Sequence, residues 1–286
     1  MTDPRALWRR YLAQQIALGH SPVTLPQPLR TTVGPAVTEE APAPGGTPPA
    51  APPPAETPRG VRATAPGAGR REKTKRQTNL PPIPGPGISV PAPDTDLFAI
   101  DPLVSASFDA VVAQIHACTR CRLHSGRTHA VPGEGPTNAR LVVVGEGPGA
   151  NEDAQGRPFV GRAGDLLNEI LAAIDCPRET VYIANVVKCR PPENRKPQGD
   201  EMEACLPYLH RQLALIRPKV IIAMGATAAE ALLQTRTGLG HLRNQVHSYR
   251  GIPLVVTYHP AALLRNPNWK RPTWDDVRIA RQLLDR

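Results

Sequence analysis

The chain has 286 residues, 40% of them hydrophobic and 21% charged, with 35 prolines and a net charge of +9. That length admits one or two ordinary domains, and no run of about 18 apolar residues is present to span a membrane. Eleven basic and eight acidic residues fall in the first 102, so residues 103–286 keep +6, a balance that favours polyanions, nucleic acid above all.

Residues 1–20 read as one isolated helix, with Asp3 as cap, Pro4 in the first turn and Gly19 closing it. Trp8, Tyr11, Leu12 and Ile16 share a face, while Arg9, Arg10, Gln14 and Gln15 interrupt any apolar signal segment, so a cytoplasmic chain is expected. Residues 21–102 hold 20 of the 35 prolines, in runs such as "APAPGGTPPAAPPPAETP". Large apolar side chains are too few there to offset the ordering entropy, which predicts a long disordered extension, partly polyproline II. It is either a spacer or, with the helix before it, a docking site for a protein partner. The charge run "RREKTKR" is expected to be solvated, with scope for non-specific phosphate contacts.

From Leu103 onward strands and helices alternate. "ARLVVVG", "TVYIANVVK", "PKVIIAMG" and "GIPLVVTYHP" read as buried strands. "AGDLLNEILAAI", "GDEMEACLPYLHRQLALI", "ATAAEALLQ" and "TWDDVRIARQLLD" read as the helices between and after them, with Pro207 a site for a bend in the second. This pattern predicts a three-layer α/β/α sandwich around a central, mainly parallel four-stranded sheet spanning 103–286. Ligands in such folds sit at the carboxyl ends of the strands, which selects the loops at 145–163, 185–199, 225–228 and 257–266.

Cys118 and Cys121 form a C-x2-C pair, and Cys189 and Cys205 follow far along the chain. In a cytoplasmic protein such cysteines point to a metal centre. Zinc with four cysteines normally uses two C-x2-C knuckles, whereas an iron–sulfur cluster tolerates scattered ligands; cluster, zinc and four unrelated thiols all remain open on spacing alone. Cys176 has no partner in the pattern and reads as a small buried side chain.

The loop "GEGPGANED" has the glycines of a phosphate loop but is not a G-x-G-x-x-G fingerprint. Pro148 interrupts it, and Glu146, Glu152 and Asp153 place negative charge where phosphate would sit. What it offers is close backbone approach, carboxylates, and then Phe159 in "QGRPFVGRAG".

"GEGPGANEDAQGRPFVGRAGDLLNEIL", "NVVKCRPPENRKP" and "YHPAALLRNP", with the cysteines around them, resemble the family 4 uracil-DNA glycosylases, iron–sulfur members of the uracil-DNA glycosylase superfamily. The resemblance runs from about Phe108 to Arg286. It implies a monofunctional repair enzyme, acting as a monomer on uracil in single- or double-stranded DNA, which flips the base out, hydrolyses its N-glycosidic bond and leaves an abasic site. Asn185 would read uracil, accepting from N3–H and donating to O4 with one amide. Phe159 would stack on the base, Glu152 would crowd the thymine methyl, and Gly145, Glu146 and Gly147 would line the base. His259 would donate to uracil O2 as charge builds on the leaving group, and Glu146 would orient water or stabilise the cationic sugar. Leu263 and Leu264 would wedge into the base stack, with Arg190, Arg195, Lys196 and Arg265 on phosphates. Cys118, Cys121, Cys189 and Cys205 would hold a structural 4Fe–4S cluster, zinc being the alternative. Two rival readings stay open: a non-catalytic iron–sulfur nucleic-acid-binding module, and a nucleotide-binding enzyme on the same scaffold.

Overall fold

The computed structural model of the protein describes residues 80–92 and 102–286. The helix expected at 1–20 and most of the extension at 21–102 lie outside the described residues. In chain order the elements are β1 (Pro86–Val90), α1 (Pro102–Ser105), α2 (Phe108–His116), β2 (Leu141–Gly145), α3 (Ala150–Gln155), α4 (Gly161–Ala173) and β3 (Val181–Asn185). There follow α5 (Gly199–Ile216), β4 (Val220–Met224), α6 (Ala226–Leu233), α7 (Leu239–Leu242), β5 (Val246–Tyr249), β6 (Ile252–Thr257), α8 (Pro260–Arg265) and α9 (Lys270–Leu284).

The strands make one sheet in the order β1-β5-β6-β4-β2-β3. Strands β2, β3, β4 and β6 run parallel and are the four read from sequence. The expected four-stranded sheet has six strands among the described residues. The extra two are β5, which pairs antiparallel with β6, and β1, which pairs parallel with β5. Each escaped detection for a physical reason. β5 is four residues long with only half its side chains buried, and β1 is a "PGISV" segment inside proline-rich sequence. β1 also corrects the extent of the extension: part of 21–102 belongs to the sheet. His247 pins it there, because its Nδ1 accepts from the Ile88 amide at 2.9 Å.

The parallel strands bury both faces, hence their unbroken apolar runs. Val142, Val144, Ile221, Ala223 and Val256 pack towards α2, α5 and α6. Their neighbours Val143, Ile183, Ile222, Met224 and Val255 pack towards α4 and α9. Fully burying one such side chain stabilises the fold by about 1.5–3 kcal/mol, so this double core sets the layering. Helix α5 continues through Pro207. The outer edge of β3 is closed by Glu134, whose amide and carbonyl pair with those of Ile183 at 2.9 and 2.7 Å, which blocks strand addition at that side. No helix among the described residues is long and apolar enough to cross a membrane.

The in-register ends of the parallel strands, Gly145 beside Asn185 and Met224 beside Thr257, put all four selected loops at one edge of the sheet.

Candidate functional site

Those loops enclose a cleft of about 650 Å³ lined by, among others, Glu146, Gly147, Glu152, Phe159, Asn185, Arg195, His259 and Arg265. Most of the residues singled out in three distant motifs therefore meet in one place. Gly145 lies beneath them. A Cβ at that position would sit 2.5 Å from both Asn185 Oδ1 and the Phe159 ring, so only a glycine lets the two approach.

Asn185 is 2% exposed, and its Oδ1 is buried without a hydrogen-bond partner. An unsatisfied buried acceptor costs about 1–3 kcal/mol. In a cleft wall it marks a place for a donor brought by a ligand. Behind it, Lys188 Nζ donates to the Asn185 carbonyl at 3.0 Å and to Gln212 Oε1 at 2.8 Å. Gln212 in turn donates to Pro132 O and Tyr182 Oη. Burial pushes the Lys188 ammonium down to about 8.

Phe159 is held in the left-handed backbone region at φ 49°. Arg178 fastens this turn by donating to Phe159 O at 3.1 Å and to Pro158 O at 2.6 Å. Arg178 also contacts Glu134, whose bidentate pair with Arg157 and bonds to Arg178 hold its carboxyl below the usual range. Glu152 does related work. Its two carboxylate oxygens accept from Gly149 N at 3.0 Å and Val160 N at 2.9 Å, closing the loop from both ends while its side chain forms part of the cleft wall.

The His259 ring stacks on the Phe159 ring with centroids 5.2 Å apart and planes at 27°. His259 Nδ1 accepts from the Ala261 amide at 3.2 Å, capping α8. With Nδ1 an acceptor, the ring proton belongs on Nε2. Burial, with a smaller push from Arg265, lowers this imidazole to about 4. At neutral pH it is an uncharged donor. Glu146 receives a hydrogen bond from the buried Thr227 hydroxyl at the start of α6, which fixes one of its oxygens.

The expected phosphate and wedge residues fare unequally. Leu263 is 1% exposed and anchors α8 in the core, so it is not a wedge; helical spacing turns Leu264, 37% exposed, outward instead. Arg265 is exposed at the cleft wall. Arg195 donates to both oxygens of buried Glu201 at 2.7 and 2.8 Å, Lys196 pairs with Glu230 at 2.6 Å, and Arg190 donates to Asn194 at 2.8 Å. These three already have partners within the protein.

Cys118, Cys121, Cys189 and Cys205 converge on one small pocket, walled also by Ile115 and Tyr208. Donors point at three of the sulfurs: Arg127 Nη1 at 3.1 Å from Cys189, Lys188 N at 3.2 Å from Cys205, and Arg120 N at 3.5 Å from Cys118. Such donors favour thiolate ligands. Burial pushes the Cys205 thiol up to about 12 and raises those of Cys121 and Cys189, so a bound metal would have to displace protons. Among the described residues no three His, Cys, Asp or Glu side chains converge closely enough for a single metal ion. Four sulfurs around a shared pocket make this a candidate metal centre. Cys176 lies elsewhere, buried, with its sulfur 3.6 Å from Arg281.

Sequence reading missed Thr227, Lys188, Gln212 and Arg178, which act from behind the cleft. It also missed Tyr258 and Trp269, which line it. The "YHP" motif carried Tyr258 in plain view.

The profile of the uracil DNA glycosylase superfamily matches residues 132–279. The chain is 47% identical over 161 residues to the type-4 uracil-DNA glycosylase of Pyrobaculum aerophilum, covering 54% of this chain and 82% of that protein. It is 41% identical over 186 residues to the one from Sulfurisphaera tokodaii, covering 62% and 84%. With the Thermotoga maritima enzyme it shares 43% identity over 180 residues, covering 62% and 94%. The matched span takes in the cleft residues together with Cys189 and Cys205, and the chain belongs to the uracil DNA glycosylase superfamily.

Proposed function

We propose that the protein is a DNA repair glycosylase that extrudes uracil from DNA, hydrolyses its N-glycosidic bond, and leaves free uracil and an abasic site. The observation that carries this reading is the partnerless, buried Oδ1 of Asn185 beside the Phe159–His259 stack. Uracil N3–H supplies the donor that oxygen lacks, whereas cytosine N3 is an acceptor and would leave both unpaired. The aromatic ring offers a stacking face worth about 1–3 kcal/mol. The neutral Nε2–H of His259 is the donor available for uracil O2 as negative charge develops there. Glu146, steadied by Thr227, is the carboxylate available to orient water or balance charge on the sugar.

The reaction stops at the abasic site in this reading. Strand cleavage needs a free amine in the cleft, but Lys188 is buried against Asn185 and Gln212, and Lys196 is paired with Glu230. The four cysteines would hold a 4Fe–4S cluster, which supplies a rigid brace for the loop between Asn185 and Gly199. Leu264 and Arg265 are the groups placed to meet the opened strand, and the protein acts in the cytoplasm as a monomer.

The test is release of uracil from DNA carrying a single uracil, scored as free base and as alkali-labile sites. Asn185→Ala is expected to lower kcat/KM about 10- to 100-fold, the cost of one to two lost polar contacts. Tight DNA binding by the parent with no base released would favour a non-catalytic module instead.

A further inference from the structure

Three large apolar side chains are exposed among the described residues, Leu80, Leu264 and Trp269, and the last of them lines the cleft. Trp269 lies flat on Tyr258, with ring centroids 4.6 Å apart and planes within 6°. The Arg243 guanidinium also lies over the Tyr258 ring, 4.6 Å from its centroid. Arg243 cannot swing away. Its Nε and Nη2 donate to the two oxygens of buried Asp276 at 2.7 and 3.1 Å, and the Thr257 hydroxyl donates to the same carboxylate at 2.7 Å. The Tyr258 ring is thus held against a fixed guanidinium as well as the indole, and the indole is 37% exposed.

That construction suits a flat aromatic ligand. The ring is pre-ordered, so little entropy is lost on stacking, and the Arg243 cation over the Tyr258 ring steadies the phenol on which the indole lies. Arg265, an exposed cation at the same wall, adds a partner for an anion next to that ligand. A planar ring with an anion beside it is a nucleotide. Trp269 is not needed to hold the extruded base, which meets Phe159, Asn185 and His259.

We propose that Trp269 is a stacking platform for a second nucleobase, the strand neighbour of the one in the cleft, with Arg265 on the phosphate between them. This rests on reading the cleft as the uracil site. A neighbour stacked on Trp269 has left its own duplex partner, so the platform favours single-stranded or locally opened substrate.

The test compares the parent, Trp269→Ala and Trp269→Phe on two single-stranded oligonucleotides, one natural around its uracil and one with abasic residues on both sides. On the natural strand Trp269→Ala is expected to raise KM about 5- to 100-fold with kcat nearly unchanged. Trp269→Phe should recover most of the loss, and on the abasic-flanked strand parent and variant should coincide. An unchanged KM on the natural strand, or an equal loss on both strands, overturns the platform. A uracil-free single strand should quench the indole fluorescence of the parent much more than that of Trp269→Phe, and equal quenching also overturns it. If the parent releases no uracil, the excision reading fails while the fluorescence comparison still decides the platform.

Discussion

Uracil release by a His259→Ala variant is expected to fall about 10²- to 10³-fold in kcat, the usual loss when one preorganised donor to a developing anion is removed. The geometry ties this effect to a neutral ring. Nδ1 is occupied by the Ala261 amide, and burial holds the imidazole near 4. Between pH 5 and 8 the Nε2–H donor therefore persists, and this group contributes no break at the ordinary histidine value of 6.5. Protonation near pH 4 would set a proton on Nδ1 against the Ala261 N–H and break the cap of α8. Stability follows the same sign. The unfolded chain takes up a proton below about 6.5 but the folded one resists until about 4, so the contribution of the neutral ring is full above 6.5 and is lost as the pH falls from there towards 4. His210 is lowered to about 4 as well, first by burial and then by Arg250, and adds a parallel slope. Unfolding titrations of parent and His259→Ala at several pH values should differ in slope within that window. An activity break near 6.5 that vanishes in the variant would refute the neutral-donor assignment.

Glu201→Ala is expected to disrupt the protein from outside the cleft. Its buried carboxylate accepts from Arg195 twice, from Arg122 at 2.8 Å and from Gln198 N at 2.8 Å. Arg122 follows Cys121, Arg195 lies on the loop after Cys189, and Gln198 precedes the helix carrying Cys205. One carboxylate thus fastens three segments that bear the cysteines. The two arginines are partly exposed and can rehydrate, so the loss is set at about 1–3 kcal/mol, or a Tm lower by roughly 3–10 °C. With the proposed cluster in place, iron bound per purified chain should fall with it. The Arg195 hydrogen bond is the main cause that brings the Glu201 carboxyl down to about 2. Its contribution is accordingly present above the ordinary carboxylate value and fades as the pH drops from about 4.5 towards 2. An unchanged Tm and iron content would show that these segments are held by other contacts.

Much of the arrangement was legible in the sequence because it rests on periodicity and strand ends. Unbroken apolar runs located the four parallel strands, and the carboxyl-end rule then selected the loops that form the cleft. Asn185, Phe159 and His259 were reachable through their motifs. What stayed hidden depends on contacts between distant segments. Nothing in "GDEMEAC" announces that Glu201 faces Arg122, 79 residues away, nor does a lone "NW" announce a ring stacked on Tyr258. The pair of leucines in α8 shows the limit of a linear reading. Both looked available as wedges, but a helix puts adjacent residues about 100° apart, so one enters the core and the other does not. β5 and β1 were missed because short, half-polar strands at the margin of a sheet carry too little pattern to read.

The placement of β1 has a practical consequence. A truncated protein starting at Leu103 would keep every cleft residue and all four cysteines, yet it would strip the outer partner from β5. The bared amides and carbonyls of Val246–Tyr249 would then invite another molecule to pair with them, and His247 would lose the amide it holds. Such a fragment is expected to self-associate in light scattering, whereas one retaining the strand from Leu80 onward should stay dispersed.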